Sequence, residues 1–385
     1  MSLATHHVRD RRLGSALAPL GQFVPSAGQG GGGDTNTRYK AAFALFSAGT
    51  QAALRNMPRY LLNSAVILAI AVTWILIFLL YFHPIKTIRG LFSSEMKVET
   101  YNFQETAEEA ACFNDGSDLS NPIPNVVHFI WGIQNPETNF ITYLAIRSAL
   151  ISLQPDTLKI HYEELNMDNI WFRKMRNNVT LVHHDMALEY PKQTQEKWQV
   201  SHLTDVLRLD ILRLEGGIYL DTDVIALQSF DTLQHNKRGV ILGHEGGDRH
   251  GLCNAVIVAR QDASFLHRWI ESYRDFSAAE WNYHSVVLPK QMALDFPDQV
   301  CPLAPTVFFW PTWTSSHVEF MHEPITADEA KKVEDRLSVY GGGLHRDQLA
   351  YHAWNQVARK YLKQLTPDIV RDKDTRFNLM VRRFL

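Results

Sequence analysis

The chain has 385 residues, of which 45% are hydrophobic and 21% are charged, and its formal net charge is −3. These values are typical of a protein with a sizeable core, and the slightly acidic balance argues against a nucleic-acid partner. The three cysteines, Cys112, Cys253 and Cys301, are too far apart for a Cys-x-x-Cys pair. They permit one disulfide, but the sequence does not select the pair.

The N-terminal part divides by composition into three segments, followed by a catalytic domain over 122–385. Residues 1–60 contain a four-glycine run and no sustained period, which predicts a poorly ordered tail. Leu61 to Phe82 has no charged residue and is long enough for a transmembrane helix. Residues 83–121 are predicted to form a polar stem.

The orientation of the predicted membrane helix depends on how charges are counted. The whole tail carries seven Lys or Arg against two Asp, which favours a cytosolic N-terminus and a type II signal anchor. Counted close to the membrane, the basic residues on the two sides do not favour either orientation. The sequon Asn178-Val179-Thr180 is consistent with a lumenal C-terminal part.

Strand and helix patterns alternate after residue 122. Val126 to Trp131 is a short apolar run that follows two prolines and predicts a buried strand. Thr142 to Leu153 has helical spacing, and Leu158 to Tyr162 and Val179 to His183 predict further strands. This alternation predicts an α/β fold with a mostly parallel central sheet.

A helix and a strand are predicted before the most informative motif. Leu203, Leu207, Ile211 and Leu214 fall on one face of a helix that can pack against a sheet. Gly216-Gly217 is a natural helix stop, because glycine adopts the left-handed capping conformation without strain. Ile218 to Leu220 then begins a buried strand.

Asp221 and Asp223 follow at the carboxyl end of that strand, where open α/β sheets place their ligand sites. Two residues along a strand span roughly 6.5 Å on one face. A hard divalent cation that bridges carboxylate and phosphate oxygens would stabilise the departing diphosphate of a nucleotide-sugar. The spacing therefore predicts a metal site for such a donor.

A bare Asp-x-Asp pattern has little specificity, since Asp372-Lys373-Asp374 has the same spacing in a charged segment predicted to be solvated. The context of Asp221 distinguishes it, with Asp205 and Arg208 one helix upstream. On spacing alone, that upstream pair is equally consistent with a surface ion pair.

Taken together, the motif resembles that of glycosyltransferase family 32, which includes alpha-1,4-galactosyltransferases and yeast-type alpha-mannosyltransferases. The family pattern D-x-x-R, then G-G-x-Y-x-D-x-D, matches Asp205, Arg208, Gly216, Gly217, Tyr219, Asp221 and Asp223. The run Val127 to Gly132 is similar to the first strand of that family and of large clostridial glucosylating toxins. His352-Ala353-Trp354-Asn355 is similar to the H-x-W-N of the galactosyltransferases.

The resemblance implies a GT-A type fold, a Mn²⁺ or Mg²⁺ requirement and transfer with retention of anomeric configuration. It implies that Asp223 binds the metal and that Asp221 contacts the metal or the ribose. Asp205 and Arg208 would hold the donor hexose. His352 would complete the metal or pyrophosphate shell, the alternative being a packed core residue. The remaining donor-binding positions that it implies are Ile130 and Trp131 at the base, Tyr219, Asn254 and Trp354.

The sequence thus predicts a Golgi membrane enzyme that transfers a hexose from a nucleotide-sugar to a glycan or glycolipid. The similarities of the run Val127 to Gly132 and of the segment His352 to Asn355 favour a UDP-hexose over GDP-mannose as the donor. Trp310 and Trp313 either line the acceptor side or are core aromatics. The alternative function is an inactive, membrane-anchored sugar-binding or scaffold protein on the same fold. A soluble hydrolase fits less well, because glycosidase carboxylates must flank the scissile bond.

Overall fold

The computed structural model describes residues 103–116, 120–277 and 281–385. The strands are β1 (Val126–Ile130), β2 (Thr157–Tyr162), β3 (Thr180–His183), β4 (Gly217–Leu220), β5 (Val224–Ala226), β6 (Val240–Glu245), β7 (Gly251–Ala259), β8 (Val300–Leu303) and β9 (Ala350–His352). The helices are α1 (Ala107–Phe113), α2 (Phe140–Ser152), α3 (Ile170–Met175), α4 (Met186–Glu189), α5 (Pro191–Gln195), α6 (Val200–Glu215), α7 (Asp231–Gln234), α8 (Ser264–Ser272), α9 (Leu288–Asp295), α10 (Pro305–Phe308), α11 (Ser315–His322), α12 (Ala327–Val339), α13 (Arg359–Leu362), α14 (Pro367–Asp372) and α15 (Arg376–Val381).

Seven strands form one mixed sheet in the order β3-β2-β1-β4-β7-β6-β8, and β5 pairs with β9 in a second, two-stranded sheet. Strand β7 runs antiparallel to both β4 and β6, whereas the other pairings in the large sheet are parallel. Six of the seven strands therefore point the same way, and the predicted mostly parallel α/β sheet is confirmed. Their carboxyl ends share one edge of the sheet.

The core lies on both faces of the large sheet. Along β4, Ile218 and Leu220 belong to one hydrophobic cluster, which includes the buried face of α2. Tyr219, between them, belongs to the other cluster, which includes α6 and α8. Because successive strand side chains point to opposite faces, this alternation shows that helices cover both sides of the sheet.

The predicted elements near the site are present with small shifts in their ends. The strand predicted over Val126 to Trp131 is β1, and the helix predicted from Thr142 is α2. One detail of α6 is wrong: Leu214 is 57% exposed and does not pack on the sheet. In the last turn of the helix the buried residue is Leu212, so the apolar stripe ends before Leu214.

The predicted stem contains part of the folded domain. Helix α1 begins at a capping box formed by Thr106 and Glu109. A disulfide joins its Cys112 to Cys301 of β8, and Cys253 is free and buried. The Arg249 guanidinium also donates to the Glu109 carboxylate at 2.6 and 2.9 Å. The folded domain therefore begins before residue 122.

A row of hydrogen-bonded histidines crosses β1, β2 and the end of β3. His128 Nε2 lies 2.9 Å from the Gly216 carbonyl, which can only accept, so the His128 Nδ1 must be an acceptor. His161 then donates from Nε2 to His128 at 3.1 Å and accepts at Nδ1 from His184 at 2.9 Å. Burial lowers the pKa of His128 to about 4 and that of His161 to about 2.

The predicted membrane helix over Leu61 to Phe82, together with the tail at 1–60, lies outside the described residues. Among the helices of the described ranges, none is both long enough and apolar enough to cross a bilayer.

Candidate active site

Two aspartates stand on a turn between the two sheets. The chain leaves β4 at Leu220, and the Asp221 N–H donates to the Ala255 carbonyl at 2.9 Å. The Val224 N–H then donates to the Asp221 carbonyl at 2.9 Å, which closes a turn, and β5 begins there. The two carboxylates therefore lie at the predicted carboxyl end of β4, but on a turn, so the strand spacing of roughly 6.5 Å does not apply to them.

The glycines before this strand are required by close packing. Gly216 ends α6 with φ of 66°, and Gly217 has φ of 108°. A Cβ on Gly217 would lie 2.4 Å from the Val126 carbonyl oxygen, so no larger residue fits there without movement of β1. The Gly-Gly pair thus allows β4 to lie against β1 and fixes where Asp221 emerges.

Strand β9 brings His352 to the same place from a position far along the chain. His352 is opposite Val224 in the β5–β9 pair, and its Nε2 lies 3.3 Å from Asp223 Oδ1. The Asn355 N–H donates to Asp223 Oδ2 at 2.8 Å. One ligand atom from each of Asp221, Asp223 and His352 lies within 4.8 Å of the others.

Electrostatic interactions favour the charged forms of Asp223 and His352. Burial alone would raise the pKa of Asp223, but the His352 charge and the hydrogen bonds from His352 and the Asn355 N–H lower it. Burial would lower the pKa of His352, but Asp223 and Asp221 outweigh that effect and raise it. Burial raises the pKa of Asp221, against the opposing effect of the Arg208 charge.

These three residues fit a divalent cation. They supply two carboxylates and one imidazole, a mixed oxygen and nitrogen set. The His352 Nδ1 is buried and has no hydrogen-bond partner among the described residues. Because imidazole must be neutral to bind a metal, occupancy of the site would require His352 to release its proton.

Arg208 connects this cluster to α6. Its Nη1 lies 3.0 Å from Asp221 Oδ1, and its Nη2 lies 3.3 Å from Asp205 Oδ1. The same guanidinium donates to the Asn254 carbonyl at 3.0 Å and stands 4.6 Å from the centre of the Tyr219 ring. Arg208 and Asp205 are only 5% and 6% exposed, so the ion pair is buried and the surface-pair alternative is wrong.

The residues around Arg208 complete a hydrogen-bonded network. The Asn254 amide donates to Asp205 Oδ1 at 2.7 Å, and the Tyr219 hydroxyl donates to Asp221 Oδ1 at 2.7 Å. Tyr219 is itself buried, so its hydroxyl orients the Asp221 carboxylate from the protein interior. The structure therefore gathers Asp205, Arg208, Tyr219, Asp221 and Asn254 into one cluster.

The predicted base-binding residues lie at the end of β1. Ile130 is buried and packs in the same cluster as Leu203 and Leu207 of α6. Trp131 is partly buried, and its Nε1 has no partner among the described residues. Gly132 follows with φ of 83°, and a Cβ there would lie 2.0 Å from the Glu164 carbonyl oxygen. The chain therefore turns sharply after Trp131.

Trp354 packs against the His352 ring. It is buried with φ of 52°, and its ring centre lies 4.1 Å from that of His352. Its Nε1 donates to the Pro311 carbonyl at 2.9 Å. Trp310 is a core residue, whereas Trp313 is 47% exposed, so the two tryptophans have different environments.

Two further groups were missed by the sequence analysis. The Asn355 N–H that contacts Asp223 is a backbone group, which no side-chain motif reveals. Glu245, the last residue of β6, is buried at the same sheet edge as Asp221. An acidic residue three positions after the apolar run Val240 to Leu242 is the signal that could have found it.

Comparison with known proteins agrees with this geometry. A family model described as a glycosyltransferase sugar-binding region containing a DXD motif matches residues 140–240, which include Asp205, Arg208, Asp221 and Asp223. Glucan organizing enzyme 1 of Cryptococcus neoformans var. grubii is 34% identical over 280 residues, covering 68% of this chain and 71% of that protein.

Similar solved structures include the PaToxG glycosyltransferase and GlyE of Streptococcus pneumoniae. The first is 16% identical with a TM-score of 0.38, covering 77% of this chain and 98% of that one. GlyE is 10% identical with a TM-score of 0.38, covering 68% of this chain and 60% of that one.

The matched region contains the buried Asp205–Arg208 pair and the turn that carries Asp221 and Asp223. On the basis of the family model and the curated relative, the chain is a glycosyltransferase. It belongs to the family whose sugar-binding region contains a DXD motif, of the family 32 type. The mostly parallel α/β sheet is consistent with the GT-A type fold expected of that family.

Proposed function

We propose that this glycosyltransferase is a metal-dependent, retaining hexosyltransferase that uses a nucleotide-sugar donor. The observation that carries the proposal is the convergence of Asp221, Asp223 and His352 within 4.8 Å, beside the buried Arg208. A UDP-hexose is the favoured donor over GDP-mannose, because the strand ending in Trp131 and the His352-Ala353-Trp354-Asn355 segment resemble those of UDP-sugar enzymes.

Asp221, Asp223 and His352 would hold Mn²⁺ or Mg²⁺. When bound, the cation would neutralise the charge that develops on the departing diphosphate. The protein's own contribution is to fix the ligands in place. Tyr219 and Arg208 orient Asp221, and the Asn355 N–H orients Asp223. Such preorganised groups stabilise a transition state without reorganisation at the moment of reaction.

Arg208 and Asp205 would contact the donor hexose, with Asn254 holding Asp205 in position. The unpartnered Nε1 of Trp131 supports a role for this residue at the base, since a buried N–H favours an acceptor. The sheet order supports the same arrangement, because β1, which ends just before Trp131, is directly beside β4, which leads to Asp221.

Retention is proposed to follow front-face attack. The bond from the anomeric carbon to the phosphate oxygen breaks as the bond to the acceptor oxygen forms on the same face. The acceptor hydroxyl proton passes to an oxygen of the leaving diphosphate, so no separate base is required. Buried, fixed ligands favour this route, because they hold the leaving diphosphate next to the anomeric carbon.

The acceptor is proposed to be a glycan or glycolipid of the secretory pathway, with the enzyme anchored in the Golgi membrane as a type II protein. The name of the fungal relative refers to glucan, which supports a glycan acceptor. Asn178 is exposed, as a lumenal glycosylation site requires. Protease added outside sealed microsomes should spare the catalytic domain, and its digestion would contradict this orientation.

A donor-hydrolysis screen tests the proposed activity. The purified protein is incubated with UDP-glucose, UDP-galactose, UDP-N-acetylglucosamine and GDP-mannose, with Mn²⁺ or with chelator, and the released nucleotide is measured. Release from one donor, with Mn²⁺ only, is the expected result. Equal release in chelator would contradict the metal-dependent mechanism, and no release from any donor would contradict the assignment of donor class.

A further inference from the structure

Glu245 lies at the site without belonging to the metal cluster. It ends β6, which runs parallel to β4, so its carboxylate is at the same sheet edge as Asp221. Gly243, which faces the same side of β6 as Glu245, lies against Phe309, since a Cβ there would lie 2.9 Å from the Phe309 ring. The Phe309 ring centre lies 5.9 Å from that of His352, so Glu245 faces the side of the sheet where His352 lies. Glu245 is buried, and burial raises the pKa of its carboxyl, although hydrogen bonds with the Cys253 thiol and the Trp313 indole oppose the rise.

Trp313 is positioned by a loop that is tied to the segment of His352. The Trp354 Nε1 donates to the Pro311 carbonyl at 2.9 Å, and Thr312 is held by His317 through its N–H at 2.9 Å and its hydroxyl at 2.7 Å. These contacts fix the loop at Pro311 and Thr312, directly before Trp313. The Trp313 side chain nevertheless remains 47% exposed, so part of a large aromatic ring faces solvent beside a buried carboxylate.

This combination has the chemistry of a carbohydrate site. A hexose has an apolar face of C–H groups, which packs on an aromatic ring, and hydroxyl groups, which donate to a carboxylate. Glu245 has acceptor capacity for a hydroxyl, and Trp313 supplies the ring. Neither residue is used by the proposed donor site.

The sheet order separates this site from the donor side. Trp131 follows β1 and Glu245 ends β6, with β4 and β7 between them. Three strand spacings correspond to about 14 Å, and Asp221 at the end of β4 lies between the two. A donor that extends from Trp131 to the metal ligands therefore presents its sugar toward Glu245 and Trp313.

We propose that Glu245 and Trp313 form the acceptor subsite, where a neutral hexose unit of the acceptor glycan stacks on Trp313 and donates a hydroxyl to Glu245. This inference rests on the proposed function, because it takes the donor to lie on the β1 side. It commits to an uncharged sugar, since neither Glu245 nor Trp313 supplies a positive charge to pair with an acidic one.

The test separates transfer from donor hydrolysis. Trp313→Ala, Trp313→Phe and Glu245→Gln are compared with wild type using methyl hexosides and short neutral gluco- and manno-oligosaccharides as acceptor probes. Trp313→Ala and Glu245→Gln should raise the acceptor KM about tenfold or more, as loss of a contact of about 1.4 kcal/mol would. Trp313→Phe should restore most of the affinity, and donor hydrolysis by the two Trp313 variants should stay within about twofold of wild type. Leu294→Ala, another exposed apolar side chain, is the control.

Each other outcome has a defined meaning. An unchanged acceptor KM in Trp313→Ala would overturn the subsite. Loss of donor hydrolysis in Glu245→Gln would overturn the role of Glu245 in acceptor binding, because the residue would then act on the donor. If wild type hydrolyses no donor, the proposed function fails separately. Direct titration of the same saccharides by NMR then tests the subsite, with weaker binding by Trp313→Ala expected and equal binding contradicting it.

Discussion

The buried ion pair on α6 has an internal comparison on the same helix. Arg208 pairs with Asp205 at 3.3 Å, and Arg213 pairs with Asp210 at 3.2 Å, with the same spacing of three residues. The Arg208 and Asp205 side chains are 6% and 8% exposed, whereas those of Arg213 and Asp210 are 30% and 25% exposed. Burial is therefore the main difference between two otherwise matched pairs.

The magnitudes follow from what each substitution leaves behind. Arg208→Ala removes the partner of two carboxylates, Asp205 and Asp221, and the donor to the Asn254 carbonyl. Breaking a buried pair in this way costs about 3–5 kcal/mol, because an uncompensated charge stays in the interior. Arg213→Ala should cost no more than about 1 kcal/mol, since solvent screens both charges.

Denaturant unfolding of both variants measures this difference, with circular dichroism to confirm the fold. We expect Arg208→Ala to reduce the free energy of unfolding by at least about 2 kcal/mol more than Arg213→Ala. Arg208→Lys, which keeps the charge but loses the forked contacts, separates activity from folding. It should reduce kcat/KM for the donor by about 30-fold or more, equivalent to about 2 kcal/mol. Equal destabilisation by Arg208→Ala and Arg213→Ala would refute the reasoning.

Three further predictions concern the base site, the disulfide and the histidine row. Trp131→Ala should raise the donor KM, because it removes a stacking contact that contributes roughly 1–3 kcal/mol to the binding free energy. Trp131→Phe should have a donor KM closer to that of wild type, and an unchanged KM in Trp131→Ala would exclude base stacking. Cys112→Ser should reduce the free energy of unfolding by up to about 5 kcal/mol, because it opens a loop of 189 residues. A denaturant midpoint of unfolding equal to that of wild type would contradict this prediction. Because the pKa values of His128 and His161 are depressed on folding, stability is full above pH 6.5 and falls below it. The free energy of unfolding should therefore decrease as the pH falls from 6 to 4, and a level value over that range would contradict the prediction.

The sequence predicted the parts of the fold that depend on local pattern. The strand over Val126 to Ile130 and the helix ending at Gly216 have the apolar period, the β-branched residues and the glycine stop that determine them. Leu214 was placed wrongly because helical spacing defines a face but not where the partner surface ends. The packing of α1 was missed because Glu109 and Cys112 are held by partners far along the chain.

For the site, the Asp221 and Asp223 pair was recognisable from local context. The spacing of the two carboxylates was not, because they lie on a turn after Leu220 and not along a strand. The approach of His352 depends on the pairing of β5 with β9, a long-range register that no local pattern specifies. Spacing gave equal support to a surface and a functional Asp205–Arg208 pair, and only burial distinguishes them.

The central claim is that Asp223 belongs to a metal site required for transfer. Asp372 provides a matched control, since it has the same Asp-x-Asp spacing but is exposed and outside the cluster. The measurement combines Mn²⁺ titration by calorimetry with donor turnover for wild type, Asp223→Ala and Asp372→Ala. We predict that Asp223→Ala loses Mn²⁺ binding and at least about a hundredfold in turnover, while Asp372→Ala matches wild type and chelator abolishes wild-type turnover. Full turnover of Asp223→Ala in chelator, or unchanged Mn²⁺ affinity, would contradict the account.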